Sequence, residues 1–351
     1  MKALVIHAAR DLRLEERPAP EPGPGEVLLA VALGGVCGSD LHYYNHGGFG
    51  AVRLREPMVL GHEVSAHVLA LGARVEGLAE GDLVAVSPSR PCGACEFCQA
   101  GLQNHCPEMR FYGSAMPFPH VQGAFRQVLV ADASQCVKAD GLSAAEAAMA
   151  EPLAVALHAV RRAGGVAGKR VLITGCGPIG ALVLLAARAE GAGQVVVTDL
   201  SDFTLDFARR LGADRALNLA ADPGALAEFQ AGKGHFDVHV ECSGAAAALA
   251  GAIPTLRPRG VIVQAGLGGD MTVPMQALTA KELELRGTFR FHAEFAEGVA
   301  LMQSGRIDVR PLITHILPLD RAEEAFRLAS DRSLAMKAQI AFAAGGPEGP
   351  R

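Results

Sequence analysis

Val171-Leu-Ile-Thr-Gly175-Cys176-Gly177-Pro178-Ile179-Gly180 reads as an apolar strand that enters a glycine-rich turn and leaves it as a helix. The first two glycines permit a tight turn and a close backbone approach to a pyrophosphate. The third lets the helix pack on the strand, and the helix N-terminus offers amide donors to an anion. Alone, that glycine pattern is a weak signal. It gains force from the next strand candidate, Gln194–Asp199, which ends in an acid 19 residues after Gly180, where a ribose-binding carboxylate belongs. Gly175, Gly177, Pro178, Ile179, Gly180 and Asp199 are therefore candidate dinucleotide contacts. An acid at that place bonds ribose hydroxyls and repels the extra phosphate of NADP, so NAD is the expected cofactor. The competing reading of Asp199 is a solvated strand end that caps the next helix. Cys176 reads as a small packing residue.

Outward from the turn, apolar runs alternate with Ala/Leu-rich helical stretches. The strand candidates are Arg170–Thr174, Gln194–Asp199, Arg215–Leu219, Phe236–Cys242, Gly260–Ala265 and Leu283–Phe289. Their apolar cores lack polar alternation, so both faces should be covered, as in a parallel sheet. Six strands with intervening helices predict a doubly wound α/β domain. Gly266 and Leu267, and Phe289 and Arg290, lie at the ends of the last two runs and complete the cofactor-contact candidates.

Before this domain the first 140 residues are rich in Gly and Pro. Short runs at Glu26–Val31, Leu83–Ser87 and Phe125–Ala131 are broken by turn residues, which predicts a β-rich domain. Ser143–Ala163 reads as one long helix bent near Pro152. Beyond Arg290, helices are expected at Glu294–Gln303 and Asp320–Ala329, with a strand at Lys337–Phe342 and a loose tail from Ala343 to Arg351. This last part should fold back on the first domain. The expected division is residues 1–152 with 291–351 as one domain and 153–290 as the dinucleotide-binding domain.

The composition fits that plan. A chain of 351 residues, half hydrophobic and a fifth charged, has room for two cores. A net charge of -5 with both signs scattered gives no basic footprint, so nucleic acid is not an expected partner. No stretch approaches the roughly 18 apolar residues of a membrane helix. The N-terminus has no secretory apolar region, which makes the cytoplasm the expected compartment. Of eight cysteines, four fall within 15 residues at metal-ligand spacing, which favours metal over cystine there.

Those four are Cys92-x2-Cys95-x2-Cys98-x7-Cys106. Four thiolates in one loop satisfy a closed tetrahedral zinc site with no place for substrate, so the role is to pin the loop. Iron–sulfur motifs place the last cysteine after three residues, not seven. A second, sparser set is Cys37-Gly-Ser39-Asp40-Leu-His42 with Gly61-His62-Glu63. Cys37, His62 and Glu63 suit a catalytic zinc that keeps one coordination place open. By themselves they also suit a buried thiol beside an ordinary His-Glu pair. The metal reading is preferred because a dehydrogenase needs a Lewis acid or base beside its nicotinamide, and nothing else in the chain offers one.

Gly35-Val-Cys-Gly-Ser-Asp-Leu-His-Tyr-Tyr44, Pro57-Met-Val-Leu-Gly-His-Glu63, the four-cysteine lobe, Ala150-Glu-Pro-Leu153, the glycine turn and Gly287-Thr-Phe-Arg290 resemble the zinc-dependent medium-chain alcohol and polyol (sorbitol) dehydrogenases. The resemblance covers nearly the whole chain. It implies a GroES-like catalytic domain beside a Rossmann domain, and two zinc ions per subunit. Within the family, Ala115-Met-Pro-Phe-Pro-His-Val-Gln-Gly123, Arg286-Gly-Thr-Phe-Arg-Phe-His292 and Ser330-Asp-Arg-Ser333 resemble the L-idonate 5-dehydrogenases most. The family's pattern places Cys37, His62 and Glu63 around the catalytic zinc. It puts Glu151 beside the metal or its water, direct ligation differing among subfamilies. Tyr43, Glu151 and Arg290 fall at polyol contacts, and Ile179 and Asp199 at cofactor contacts. Three positions depart from it: Ala66 replaces a close-packing glycine, Phe291 replaces a frequent Tyr, and Thr204 replaces an Arg near the adenosine ribose.

The implied chemistry follows. Zinc lowers the pKa of a substrate hydroxyl, Ser39 accepts the proton by hydrogen bond, His42 passes it toward solvent, and hydride goes to nicotinamide. Asp40 is expected to orient His62 or the backbone. An aldonate substrate such as L-idonate needs a cation for its carboxylate, for which Arg290 is the candidate, with His292 assisting. The expected substrate is a polyol or sugar acid, with L-idonate oxidised to 5-keto-D-gluconate. The alternatives are sorbitol, xylitol or L-threonine dehydrogenation, and a non-catalytic NAD-binding protein. Relatives are commonly dimers or tetramers, so the resemblance implies a homo-oligomer.

Overall fold

The computed structural model describes residues 1–342, so the expected tail at 343–351 lies outside the described residues. The dinucleotide-type unit is a six-stranded, wholly parallel sheet. Its spatial order is Arg215–Asn218, Gln194–Asp199, Arg170–Thr174, Phe236–Glu241, Leu256–Gln264 and Glu284–Gly287. The chain thus starts in the middle and reverses direction once, leaving a crevice where the first and fourth strands meet.

Strand periodicity explains why these apolar runs needed covering on both faces. Val171, Ile173, Val195, Val197, Val238, Val240 and Val263 point to one core with helices Ala150–Arg162, Pro178–Ala189 and Glu294–Gln303. Leu172, Val196, Phe236 and Ile262 point the other way, against Leu226, Phe229, Leu249 and Ile253. Each such fully buried aliphatic side chain contributes about 1.5–3 kcal/mol.

Strands from the first 140 residues and two from the C-terminal part build a seven-stranded sheet. Along it run Cys136–Lys138, Leu83–Val86, Glu63–Leu71, Glu26–Gly35, Lys337–Ala341 and Ile313–Pro318, with Val128–Asp132 also paired to Glu26–Gly35. Lys337–Ala341 pairs antiparallel with the end of Glu26–Gly35, placing Gln339 opposite Gly35. That pairing carries Lys337 to the centre of the site described below. The Glu26 strand runs four residues beyond the sequence expectation. At its end Gly35 admits the Glu63 carboxylate so closely that a Cβ would lie 2.2 Å from Oε2.

One helix expectation is corrected. Ser143–Ala163 is two helices, Ala144–Ala147 and Ala150–Arg162, and the break falls at Ala148-Met149. Ser143 caps the first, its Oγ accepting from the Glu146 N–H. Pro152 lies in the first turn of the second, and the break falls three to four residues before it, where its missing N–H leaves the Ala148 carbonyl without a helical partner, near the expected bend. Similarly, Asp320–Ala329 divides into a 3-10 turn, Leu319–Arg321, and a helix, Ala322–Ser330. No helix of the described residues is long and apolar enough to cross a membrane.

Candidate active site and metal centres

Helix Gly38–His46 carries Ser39, Asp40, His42 and Tyr43, and Cys37 is its N-cap. The wholly buried Asp40 side chain ties two segments together. Its Oδ2 accepts from the Cys37 N–H (3.1 Å) and its Oδ1 from the Gly61 N–H (3.2 Å). Asp40 therefore holds the backbone beside Cys37 and beside His62, which is the second of its two expected roles. His62 Nδ1 stands 3.8 Å from Asp40 Oδ1, too far for a hydrogen bond. Gly61 takes φ +91°, and a Cβ there would fall 2.0 Å from the Phe125 ring, so the turn that presents His62 requires glycine.

The Cys37, His62 and Glu63 ligand atoms all lie within 4.8 Å of one another. Sulfur, nitrogen and oxygen donors converging on one point fit a zinc ion that keeps a further position free. The buried Nδ1 of His62 has no hydrogen-bond partner, an orphaned donor or acceptor of the kind a metal centre accounts for. Burial, and next the charge of Glu63, push the Cys37 thiol up to about 12, so a nearby cation is what would favour its thiolate.

Glu63 also meets a residue the sequence reading passed over. Lys337 Nζ donates to both Glu63 oxygens, at 2.7 and 2.9 Å, and to the Val36 carbonyl at 3.4 Å. Both side chains are almost completely buried. The only sequence signal is a lysine opening a wholly buried strand that holds one further polar residue, Gln339.

Glu151, in the first turn of Ala150–Arg162, lies over the same centre. Burial raises its carboxyl to about 8, against the pull of His62. Arg290 lies near enough for the charges of Glu151 and Tyr43 to act on it. Its backbone has φ +54°, its guanidinium lies 4.0 Å from the Phe111 ring centroid and 4.8 Å from that of Phe289, and Nη2 meets Met116 Sδ at 3.4 Å. Burial brings Arg290 down to about 10, while the charges of Glu151 and Tyr43 act the other way. Among the described residues Arg290 has no carboxylate within ion-pair distance. The buried Tyr43 hydroxyl accepts from the Ala115 N–H at 3.0 Å, which anchors the Met116 loop. His292 is exposed, and its backbone N–H donates to Glu294. His42 is half-buried. Burial, then His46 and Arg332, lower its pKa.

The four thiols of Cys92, Cys95, Cys98 and Cys106 converge within the same 4.8 Å limit. Backbone N–H groups of Cys92, Cys95 and Cys98 point at sulfur atoms within the lobe, 3.3–3.5 Å away. The Ala94 N–H, followed by that of Cys95, brings Cys92 down to about 6. A closed set of four sulfurs fits structural zinc.

Along the crevice, Gly177 is the N-cap of helix Pro178–Ala189 and faces open space. Asp199 Oδ2 accepts from the Cys176 N–H (2.6 Å), while Oδ1 accepts from the Leu200 and Ser201 N–H groups (2.7 and 3.0 Å). The carboxylate thus fastens the glycine turn and caps its own strand end as well. Cys176 is buried, and burial, then Asp199, pushes its thiol up to about 12, in keeping with a packing role. Leu267 and Phe289 remain 72% and 42% exposed at the crevice mouth. Thr204 is buried and its hydroxyl donates to the Ser201 carbonyl.

The sequence profile of the alcohol dehydrogenase GroES-like domain matches residues 23–141, and that of the zinc-binding dehydrogenases matches residues 178–304. The chain is 43% identical over 321 residues to L-idonate 5-dehydrogenase (NAD(P)(+)) of Escherichia coli K12, covering 90% of this chain and 92% of that one. The chain belongs to the zinc-dependent medium-chain dehydrogenases. Sorbitol dehydrogenase of Bos taurus is similarly near within this family, 40% identical over 343 residues, 96% of this chain and 95% of the relative. The crystal structure of L-idonate 5-dehydrogenase from E. coli K-12 superposes with a TM-score of 0.93 at 40% identity, covering 97% of each chain. Membership makes the chain an oxidoreductase that works with zinc and a nicotinamide dinucleotide on an alcohol or polyol.

Proposed function

We propose that this dehydrogenase oxidises a secondary hydroxyl of a sugar acid with NAD, as an L-idonate 5-dehydrogenase converting L-idonate to 5-keto-D-gluconate. The observation that carries this reading is Arg290. A guanidinium without an anionic partner, set between two aromatic rings and facing Glu151 and Tyr43, suits a substrate carboxylate held in bidentate fashion. The resemblance to the E. coli L-idonate enzyme supports it.

Residues 1–152 and 291–351 would form the catalytic domain, with two zinc ions per subunit, and 153–290 the NAD-binding domain, in a cytoplasmic homo-oligomer. Cys37, His62 and Glu63 would hold the catalytic zinc with Glu151 beside it, and Cys92, Cys95, Cys98 and Cys106 the structural one. When bound, zinc supplies a Lewis acid at the substrate hydroxyl and NAD supplies the hydride acceptor. Ser39 takes the hydroxyl proton. His42, whose pKa is lowered by burial and then by His46 and Arg332, relays it to solvent. Tyr43 and Glu151 orient the remaining hydroxyls. Gly175, Gly177, Pro178, Ile179, Gly180, Asp199, Gly266, Leu267, Phe289 and Arg290 line the cofactor's path. Asp199, in place to meet ribose hydroxyls and repel a 2′-phosphate, favours NAD over NADP.

The second reading is a sorbitol or xylitol dehydrogenase, favoured by the likeness to the bovine enzyme. A panel of L-idonate, D-gluconate, sorbitol, xylitol, L-threonine and ethanol, each with NAD and with NADP, separates the readings. Arg290→Ala should lose far more activity on L-idonate than on sorbitol. Equal losses on both would remove the carboxylate assignment.

A further inference from the structure

Glu241 ends the fourth strand of the parallel sheet, at the crevice, and is completely buried. Every partner of its carboxylate is a donor. Oε1 accepts from the Ser243 N–H (2.8 Å), from the Ser243 hydroxyl and, at 3.4 Å, from the Thr174 hydroxyl. Oε2 accepts from the Gly244 N–H (2.9 Å) and from Gln264 Nε2 (2.7 Å), whose amide also donates to the Gly266 carbonyl at 2.9 Å. One side chain thus joins the C-terminal ends of three adjacent strands, Arg170–Thr174, Phe236–Glu241 and Leu256–Gln264.

The loops it joins touch backbone to backbone. A Cβ on Gly175 would lie 2.7 Å from the Ser243 nitrogen. One on Gly266 would lie 2.1 Å from the Gly244 nitrogen and 2.6 Å from Glu241 Oε2, and one on Gly268 1.7 Å from the Gly244 oxygen. Turn 175–180 and loops 242–244 and 266–268 therefore form a single packed wall around the Glu241 carboxylate.

We infer that Glu241 is the positioning residue that fixes the wall of the dinucleotide cleft, so that its hydrogen-bond network sets cofactor affinity; this rests on the dinucleotide reading of that cleft. Glu241 acts through Ser243, Gly244 and Gly266 and need not touch the cofactor. The test uses full-length, zinc-loaded protein with NADH as the probe, titrated by its fluorescence on binding, with zinc content and thermal melting followed in parallel. Glu241→Gln turns one acceptor into a donor facing Gly244 N–H or Gln264 Nε2. The NADH Kd should rise about tenfold or more. KM for NAD should rise with it and kcat less, while the zinc content stays as in wild type. Gln264→Leu removes one donor and should raise the Kd about threefold. If Glu241→Gln does not fold, Gln264→Leu decides. Folded variants that bind NADH as tightly as wild type overturn the inference, whatever their melting temperature. A wild-type protein that fails to bind NADH overturns the dinucleotide reading instead, and the inference with it.

Discussion

The Asn104 side-chain amide donates to the Phe289 carbonyl at 2.9 Å, and the neighbouring His105 ring stacks on Phe289 at 6.0 Å between centroids. This links the four-cysteine lobe to the residue before Arg290, whose backbone is left-handed. The four-cysteine lobe is thereby connected to Arg290, the residue proposed to hold the substrate carboxylate.

From that link, Asn104→Ala should loosen Arg290 at a cost of about 1 kcal/mol for one buried hydrogen bond. KM for L-idonate should rise several-fold and KM for sorbitol less. Steady-state kinetics on both substrates checks it; equal changes would show that the lobe acts on the fold as a whole.

Glu63 and Lys337 form a buried pair, and breaking it by removing one partner should cost about 3–5 kcal/mol. Lys337→Met and Glu63→Gln should each lower Tm markedly, and the double variant should recover part of the loss. A double-mutant cycle by thermal or denaturant unfolding measures the coupling. Additive losses would mean that the pair is not a unit.

His239 is wholly buried in the parallel sheet, and burial lowers its pKa from 6.5 to about 3. The imidazole shares a hydrogen bond with the Thr174 hydroxyl at 2.9 Å, and its Nδ1 has no partner. Its folded pKa lies below its unfolded one, so the unfolded chain takes up the proton first. The neutral ring's contribution is complete above about pH 6.5 and falls by up to about 1.4 kcal/mol per pH unit below it. Against wild type, His239→Asn should show a shallower loss of stability between pH 6.5 and 5. Parallel slopes for the two proteins would contradict this.

Much of the fold and site was legible in the sequence because period and spacing carry it. The Val171–Gly180 strand and turn, the carboxylate closing the second strand and the C-x2-C-x2-C-x7-C lobe are local patterns, each set by neighbouring residues. Partners distant in sequence were not legible. Glu63 reaches Lys337 only because the last strand pairs beside Gly35, and Asn104 reaches Phe289 only across the crevice. Asp40 could be suspected of orienting His62, but only coordinates assign it to the Cys37 and Gly61 amides. Pro152 signals the interruption of the Ser143–Ala163 stretch, but the break itself falls three to four residues earlier, because a proline disturbs the carbonyl one turn before it.

The proposed function requires two unlike metal centres, one structural and one at the reacting hydroxyl. Cys37→Ser tests that division most directly, by metal analysis of the purified variant together with NAD reduction on L-idonate and sorbitol. The wild type should carry about two zinc ions per chain and the variant about one. The variant should still bind NADH and melt cooperatively, yet reduce no NAD. A Cys37→Ser protein that keeps both zinc ions, or that turns over substrate at the wild-type rate, would contradict the account.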